Sequence, residues 1–369
     1  MEKLLKNKKF FLLPLSFFYG IGVGVRNWLF DAGILRSQKY EIPVISVGNI
    51  TVGGTGKTPH AEYLLSLLEP LYKIALLSRG YKRKTENFIL ADNTSSCLTI
   101  GDEAFQIKQK YPNILVAVDK DRRNGIKQLL NLPEETRPEI IILDDAYQHR
   151  YVNPGINILL INYNRLISCD FLLPAGRLRE PARNKDRANI VIVTKCPEKA
   201  KPMDFRIVMK NLNLYPYQNL YFTKYIYGDI KPVFPAKLSV KKTYSITPKT
   251  NILLVTGIVS NDDLLQYLQS FTQKVCAVKY PDHHYFNDND LQNITRKFDE
   301  LCCDDKIILV TEKDAARLMD NPHVSSDLKP YIYSIPIKVS FLLEQEKTFN
   351  HQILDYVRKN QTNHRIFAR

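Results

Sequence analysis

Long uninterrupted apolar segments are missing from this 369-residue chain. The best candidate, Phe10 to Val25, is shorter than the ~20 residues that span a bilayer, and Pro14, Gly20, Gly22 and Gly24 weaken it as a continuous helix. Cysteine pairs at metal-ligand spacing are also missing. Cys97, Cys169, Cys196 and Cys276 are scattered, and the vicinal Cys302-Cys303 suits no simple structural bridge. That argues against a zinc site or disulfide scaffold and for a reducing cytosol. No internal repeat, low-complexity tract, long Lys/Arg block or nucleic-acid-binding module stands out. No Asn-Lys-x-Asp box is present, which favours ATP over GTP.

What is present is a basic, globular composition. The hydrophobic fraction is 44% and the formal charge is +14. A charge of that sign favours acidic partners. Without a nucleic-acid module, an anionic membrane surface or a phosphorylated substrate is the expectation, with no nucleic acid and no obligate protein partner. At the N-terminus, Lys3, Lys6, Lys8 and Lys9 precede the apolar run, and Arg26 and Trp28 follow it. This looks like a signal peptide or short transmembrane helix, but no small-residue cleavage site follows. Residues 1–30 are expected to form a monotopic helix lying in the membrane interface, with its lysines on anionic headgroups. The alternative is a helix buried in the protein's own core.

The most informative stretch is Thr51-Val52-Gly53-Gly54-Thr55-Gly56-Lys57-Thr58. It lies between an apolar run, Ile42–Val47, and a helical pattern, Ala61–Leu68. Strand, glycine loop, lysine, hydroxyl and helix make a cradle for nucleotide phosphates. Glycines bring backbone N–H groups close to phosphate oxygens. Lys57 would face the β- and γ-phosphates, and Thr58 would offer a hydroxyl to Mg²⁺. The usual spacing places a glycine at position 51, where this chain has threonine. The loop resembles those of the MinD-like and dethiobiotin-synthetase-like ATPases, but Val52 replaces the MinD-like signature lysine.

Strands are expected at Ile42–Val47, Tyr72–Ser78, Ile114–Val118, Ile140–Leu143, Ile156–Ile161 and Ile190–Thr194, with helices between several of them. Such alternation predicts an α/β fold: a P-loop-type, mostly parallel sheet over residues 31–218. Residues 219–241 read as an extended linker or β-ribbon. Residues 242–369 read as a second, smaller α/β domain closing over the cleft. Ligands of such sheets sit at the carboxyl ends of the strands.

Several candidate residues fall there. Asp144 and Asp145 end an apolar strand, where a Mg²⁺-linked acid pair belongs; capping is the plainer use of such acids. Asp102 opens a helix, as a cap or as a carboxylate that accepts a hydroxyl proton. Arg79, Arg122, His149, Arg179 and Glu180 follow strands or lie in the Pro174–Pro181 loop. Arginines grouped at one sheet edge suit phosphate recognition. In the second unit, Asp282-His283-His284 could be a metal pair, an exposed turn, or a proton relay across the cleft.

Taken in order, Val47-Gly48-Asn49, the Gly53–Pro59 loop, Ser78-Arg79-Gly80-Tyr81, Gly101-Asp102-Glu103, Asp144-Asp145 with Gln148-His149-Arg150, Gly176–Pro181, Asp282-His283 and Thr311–Asp314 resemble the tetraacyldisaccharide 4'-kinase family of lipid A biosynthesis. The likeness spans nearly the whole chain. It implies transfer of the γ-phosphate of ATP to the 4'-hydroxyl of a tetraacyldisaccharide 1-phosphate, giving lipid IVA, at the cytoplasmic face of the bacterial inner membrane. It implies Lys57 and Thr58 on ATP and Mg²⁺, with Asp144 and Asp145 as metal-linked acids. It further implies Asp102 as general base tuned by His283, and Arg79, Arg122, His149, Arg179 and Glu180 near substrate or phosphates. Ala104 and Ala146-Tyr147 depart from the family's usual Pro and Gly-Phe. The competing reading is a membrane-associated, MinD-like regulatory ATPase with no lipid product.

Overall fold

The computed structural model describes residues 2–235, 243–258, 261–301 and 305–367, with the side chains of 2–10 and 361–367 outside that set. The expectations for Cys302-Cys303 and for the lysines at 3, 6, 8 and 9 therefore lie outside the described residues. In chain order the helices and strands are α1 (Glu2–Asp31), β1 (Val44–Gly48), α2 (Lys57–Leu68), β2 (Ile74–Ser78), β3 (Ile89–Leu90), α3 (Cys97–Ile100), α4 (Asp102–Lys110), β4 (Leu115–Val118), α5 (Arg122–Leu130), β5 (Ile140–Asp144), β6 (Ile156–Asn162), β7 (Ile190–Thr194) and α6 (Pro202–Leu212). They continue with β8 (Asn219–Tyr227), β9 (Lys231–Pro232), β10 (Asn251–Thr256), α7 (Asp262–Gln269), β11 (Val275–Lys279), α8 (Asp288–Asp299), β12 (Lys306–Thr311), α9 (Glu312–Met319), β13 (Ile332–Ile335), β14 (Ile337–Phe341) and α10 (Glu346–Phe367).

Among the described residues the strands form a nine-stranded sheet, ordered β14-β8-β7-β6-β1-β5-β2-β4-β3, and a five-stranded sheet, ordered β11-β10-β12-β13-β9. The pairings are parallel except at β14–β8, β3–β4 and β13–β9. Strands β1, β2, β5 and β7 are buried at every position. That is why they read as unbroken Val/Ile/Leu runs: helices cover both faces of a parallel sheet. β1 sits centrally, flanked by β5 and β6, so the loop after it opens at the middle of the large sheet's carboxyl edge.

The segment 219–241 differs from its expectation. Its first nine residues are β8, which pairs with β7 in the large sheet, and residues 236–241 lie outside the described set. The C-terminal part differs too. β14 pairs with β8, and α10 packs Phe349, Ile353 and Val357 into the core around Ile45 and Leu64. Tyr221, Phe341 and Phe349 form an aromatic knot with centroids 4.7–6.0 Å apart. Residues 337–367 thus return to the first unit. Periodicity marks a strand or helix but does not say which sheet it joins. The chain leaves the large sheet after β8 and comes back at β14, and Gly228 N–H donates to Pro336 O at 2.9 Å where these crossings meet. A two-stranded ribbon therefore runs through both sheets.

Helix α1 continues through Pro14, despite the expected weakening. Tertiary contact supports it. Ser16 Oγ donates to Leu172 O at 3.0 Å and accepts from Ala175 N–H at 2.9 Å. A Cβ at Gly20 would stand 2.8 Å from Leu172 Cδ1, so glycine allows the close approach. The opposite face is open: Phe11 is 84% exposed, and Phe17, Phe18 and Trp28 are exposed as well. This rules out the core-buried alternative. No described helix is long and apolar enough to cross a membrane.

Candidate active site

The glycine loop is held from both sides. Val52 N–H donates to Arg177 O at 2.7 Å, and Arg179 N–H donates to Ile50 O at 2.8 Å. The 170–181 loop is thereby strapped along Thr51 and Val52. Asn49 Nδ2 donates to Thr55 Oγ1 at 2.6 Å, and Thr194 Oγ1 donates to Thr55 O at 2.9 Å. Gly56 caps α2 with φ 86°, a left-handed conformation that glycine adopts without steric cost. A Cβ there would also strike the Tyr225 hydroxyl. The first turn of α2, carrying Lys57 and Thr58, thus presents its free N–H groups and positive dipole end to the loop.

The acid pair closes the other side. Asp145 adopts φ 48°, a strained conformation for a non-glycine residue. Its carboxylate lies 3.6 Å from Lys57 Nζ and 3.4 Å from Arg179 Nη1. Asp144 is buried, and its Oδ1 has no hydrogen-bond partner. Burial, then Asp145, pushes its carboxyl up to about 7, with Glu103 adding to the rise. An orphaned buried carboxylate oxygen, with Lys57 of the glycine loop acting on it, fits a divalent cation that draws its remaining ligands from phosphate and water. No cluster of three or more His, Cys, Asp or Glu that could hold a metal occurs among the described residues.

Of the residues expected at the substrate edge, Arg122 and Glu180 are buried in the protein and His149 is half-buried. Arg122 is 2% exposed and donates to Asp119 O at 2.9 Å and Asp144 O at 3.1 Å. It braces the end of β5 from behind. Glu180 is 1% exposed, and its Oε2 accepts from Arg187 at 2.6 Å and Asn184 at 2.8 Å, leaving no open surface for a substrate. Burial, then Arg122, pushes the His149 imidazole down to about 4. Its 3.5 Å approach to Asp121 is therefore no ion pair at neutral pH. A short stretch of sequence shows an arginine or acid at a strand end but not its depth. Arg79, by contrast, stands exposed just after β2.

The second cluster lies where α4 meets α9. Gly101, with φ 87°, turns the chain so that Asp102 starts α4. His283, at φ 59° in the loop after β11, brings Nδ1 to 3.1 Å from Asp102 Oδ2. Arg317 adds Nε at 2.9 Å and Nη2 at 2.8 Å to that same oxygen. Burial would raise the Asp102 carboxyl, but the His283 bond, Arg317 and Lys313 outweigh it and hold it at about 2. The expected pairing of Asp102 with His283 is therefore present. Glu103, beside Asp102, is near enough to act on Asp144, so the two clusters lie within electrostatic range of each other. His284 instead pairs with Asp290 at 2.8 Å. Sequence reading missed Arg317 and Lys313. The available signal was an arginine three residues after Asp314 on the helix that follows the noted Thr311–Asp314 strand end.

This geometry was compared with known proteins. The profile of the family described as Tetraacyldisaccharide-1-P 4'-kinase matches residues 8–358. The chain belongs to this family. A Tetraacyldisaccharide 4'-kinase from Phocaeicola vulgatus is 54% identical over 352 residues, covering 95% of this chain and 96% of that protein. One from Porphyromonas gingivalis strain W83 is 43% identical over 350 residues, covering 94% and 96%. The crystal structure of the "apo" form of LpxK from Aquifex aeolicus in complex with ATP superposes with a TM-score of 0.73 at 27% identity, covering 95% of this chain and 99% of that one. The mostly parallel α/β fold and the assignment as a kinase agree with these relatives. The MinD-like regulatory ATPase is not favoured by them.

Proposed function

We propose that this member of the tetraacyldisaccharide-1-P 4'-kinase family transfers the γ-phosphate of ATP to the 4'-hydroxyl of a tetraacyldisaccharide 1-phosphate, with Asp102 as proton acceptor. The supporting observation is the ionised Asp102 corner, made from both units, with its neighbour Glu103 within electrostatic range of Asp144. Backbone N–H groups from Gly53 to Thr58, with Lys57, would hold the triphosphate. Arg179 and Lys57, flanking Asp145, would counter negative charge as it shifts toward the leaving oxygen. Mg²⁺, when bound by Thr58 and the acid pair, would supply further charge neutralisation. The sugar oxygen bonds to the γ-phosphorus, its proton passes to Asp102, and the bond to the bridging oxygen breaks to release ADP. A carboxyl held near pH 2 is a weak base. In a loose transition state the hydroxyl proton leaves late, so a carboxylate that is ionised and correctly placed suffices.

The exposed apolar face of α1 supports a peripheral position on the cytoplasmic face of the inner membrane, where an acylated substrate is presented in plane. Incubation of the purified chain with γ-labelled ATP and the disaccharide lipid in detergent micelles tests the reading. Label is expected on the lipid, and Lys57→Ala and Asp102→Ala should each nearly abolish it. Full turnover in Asp102→Ala would remove Asp102 as the base.

A further inference from the structure

We infer that Arg317 and Lys313, one turn apart on α9, are positioning residues that decide which oxygen of Asp102 takes the proton and keep His283 Nε2 free of one. The inference rests on Asp102 being the proton acceptor proposed above.

The argument starts from the distribution of donors. Arg317 Nε, Arg317 Nη2 and His283 Nδ1 lie 2.9, 2.8 and 3.1 Å from Asp102 Oδ2. Among the described residues no hydrogen bond reaches Oδ1. A carboxylate oxygen offers about two lone-pair sites, so three donors saturate Oδ2. Oδ1 is left as the oxygen able to receive a substrate proton.

Lys313 settles the imidazole. Its Nζ lies 3.1 Å from His283 Nε2. An ammonium group only donates, so Nε2 must accept and the ring proton must sit on Nδ1, where it donates to Asp102. The Glu103 and Asp282 carboxylates stand 3.8 and 3.7 Å from Nε2, beyond hydrogen-bond reach. His283 with both nitrogens engaged holds Asp102 in place and is no onward route for the proton.

Arg317 is itself immobilised. It is 1% exposed, and its Nη1 donates to Asp314 Oδ1 at 2.8 Å and Gly257 O at 3.3 Å. Asp314 Oδ2 in turn accepts from Gly257 N–H at 3.0 Å and Thr311 Oγ1 at 2.7 Å. A buried guanidinium is tolerated only when its fork is fully matched. Here the fork joins the buried Asp314 of the second unit to Asp102 of the first. A further charge facing Asp102 is Asp320, at the end of α9; the buried Cys97 thiol of α3 stays protonated and carries none. Asp320 opposes ionisation, so the His283 bond together with Arg317 and Lys313 keeps Asp102 charged.

The test uses the full chain, ATP and the disaccharide lipid in micelles. It compares Asp102→Asn, Arg317→Lys, Arg317→Met and Lys313→Met for kcat and KM from pH 5 to 9, with ATP binding by calorimetry. Arg317→Met should lower kcat by about 10- to 100-fold, as expected for a misplaced reacting group, with ATP affinity unchanged. Its acid limb should move up by about one pH unit or more as the carboxylate loses its cation. Arg317→Lys should restore the position of the limb but only part of kcat. In ¹⁵N NMR of the imidazole, the native chain should show a proton on Nδ1 and none on Nε2, and Lys313→Met should let Nε2 acquire one. If Arg317→Met does not fold, the Arg317→Lys rate and the Lys313→Met spectrum carry the test. An unshifted limb with wild-type kcat in the Arg317 variants, or an Nε2 that stays without a proton in Lys313→Met, overturns the clamp while Asp102→Asn stays inactive. An active Asp102→Asn instead overturns the reading beneath it.

Discussion

The two clusters are assembled in opposite ways. The proposed phosphate cradle comes from a few neighbouring residues: Thr51 to Thr58, Asn49 and one strapping loop. The Asp102 corner comes from residues 181 and 215 positions apart in sequence. The cradle follows β1 directly, so its shape depends on local backbone conformation and one strand end. The corner exists only while α4 and α9 stay packed, and that packing depends on the ribbon through Gly228 and Pro336. A seam of charge supports it: Lys110 Nζ bridges Glu62 Oε2 at 2.6 Å and Glu312 Oε1 at 2.7 Å. Nucleotide binding and proton acceptance should therefore fail separately.

The largest effect should come from the cradle. Lys57→Ala is expected to lower turnover about 10³-fold and to weaken ATP binding, read by calorimetry. Asp102→Asn should lower kcat by about 10²- to 10³-fold while ATP binds as before; parallel loss of both would erase the distinction between the clusters. Next, changing Phe11, Phe17 and Phe18 to Ser should reduce sedimentation with anionic vesicles by about tenfold or more, given ~1.5–3 kcal/mol per large apolar side chain buried. Turnover in micelles should change less. Lys110→Met should lower kcat severalfold and thermal stability by about 1–3 kcal/mol, with ATP affinity retained, because it loosens the seam at Glu62, past the loop-facing first turn of α2.

The smallest expected effect is on stability at acid pH. The folded Asp102 carboxyl, at about 2, lies below its ordinary 3.8. Its ionised form therefore stabilises the fold fully above about pH 4, and that contribution is lost as pH falls toward 2. Melting curves across this range should show the acid step in the native chain and a diminished one in Arg317→Met.

Much of this was legible in the chain. α4 and α5 lie between expected strands, as the alternation required, and begin at Gly-Asp and Asp-Arg. The acid pair and glycine loop follow apolar runs and so announce themselves. The depth of Arg122 and Glu180 did not, since burial of a charge depends on partners such as Asp144 O and Arg187. The return of β14 and α10 to the large sheet was equally silent, because an apolar strand fits either sheet.

Sequence alone determined the mostly parallel α/β architecture and the glycine loop after β1, since each depends on spacing within a short stretch; that the apolar face of α1 stays exposed was settled by its packing on the 170–181 loop. Tertiary structure decided that Asp102 would meet His283 and Arg317, and that the end of the chain would complete the first sheet. Those contacts join residues whose separation along the chain carries no local signal, and only packing of one unit against the other brings their charges within hydrogen-bond reach.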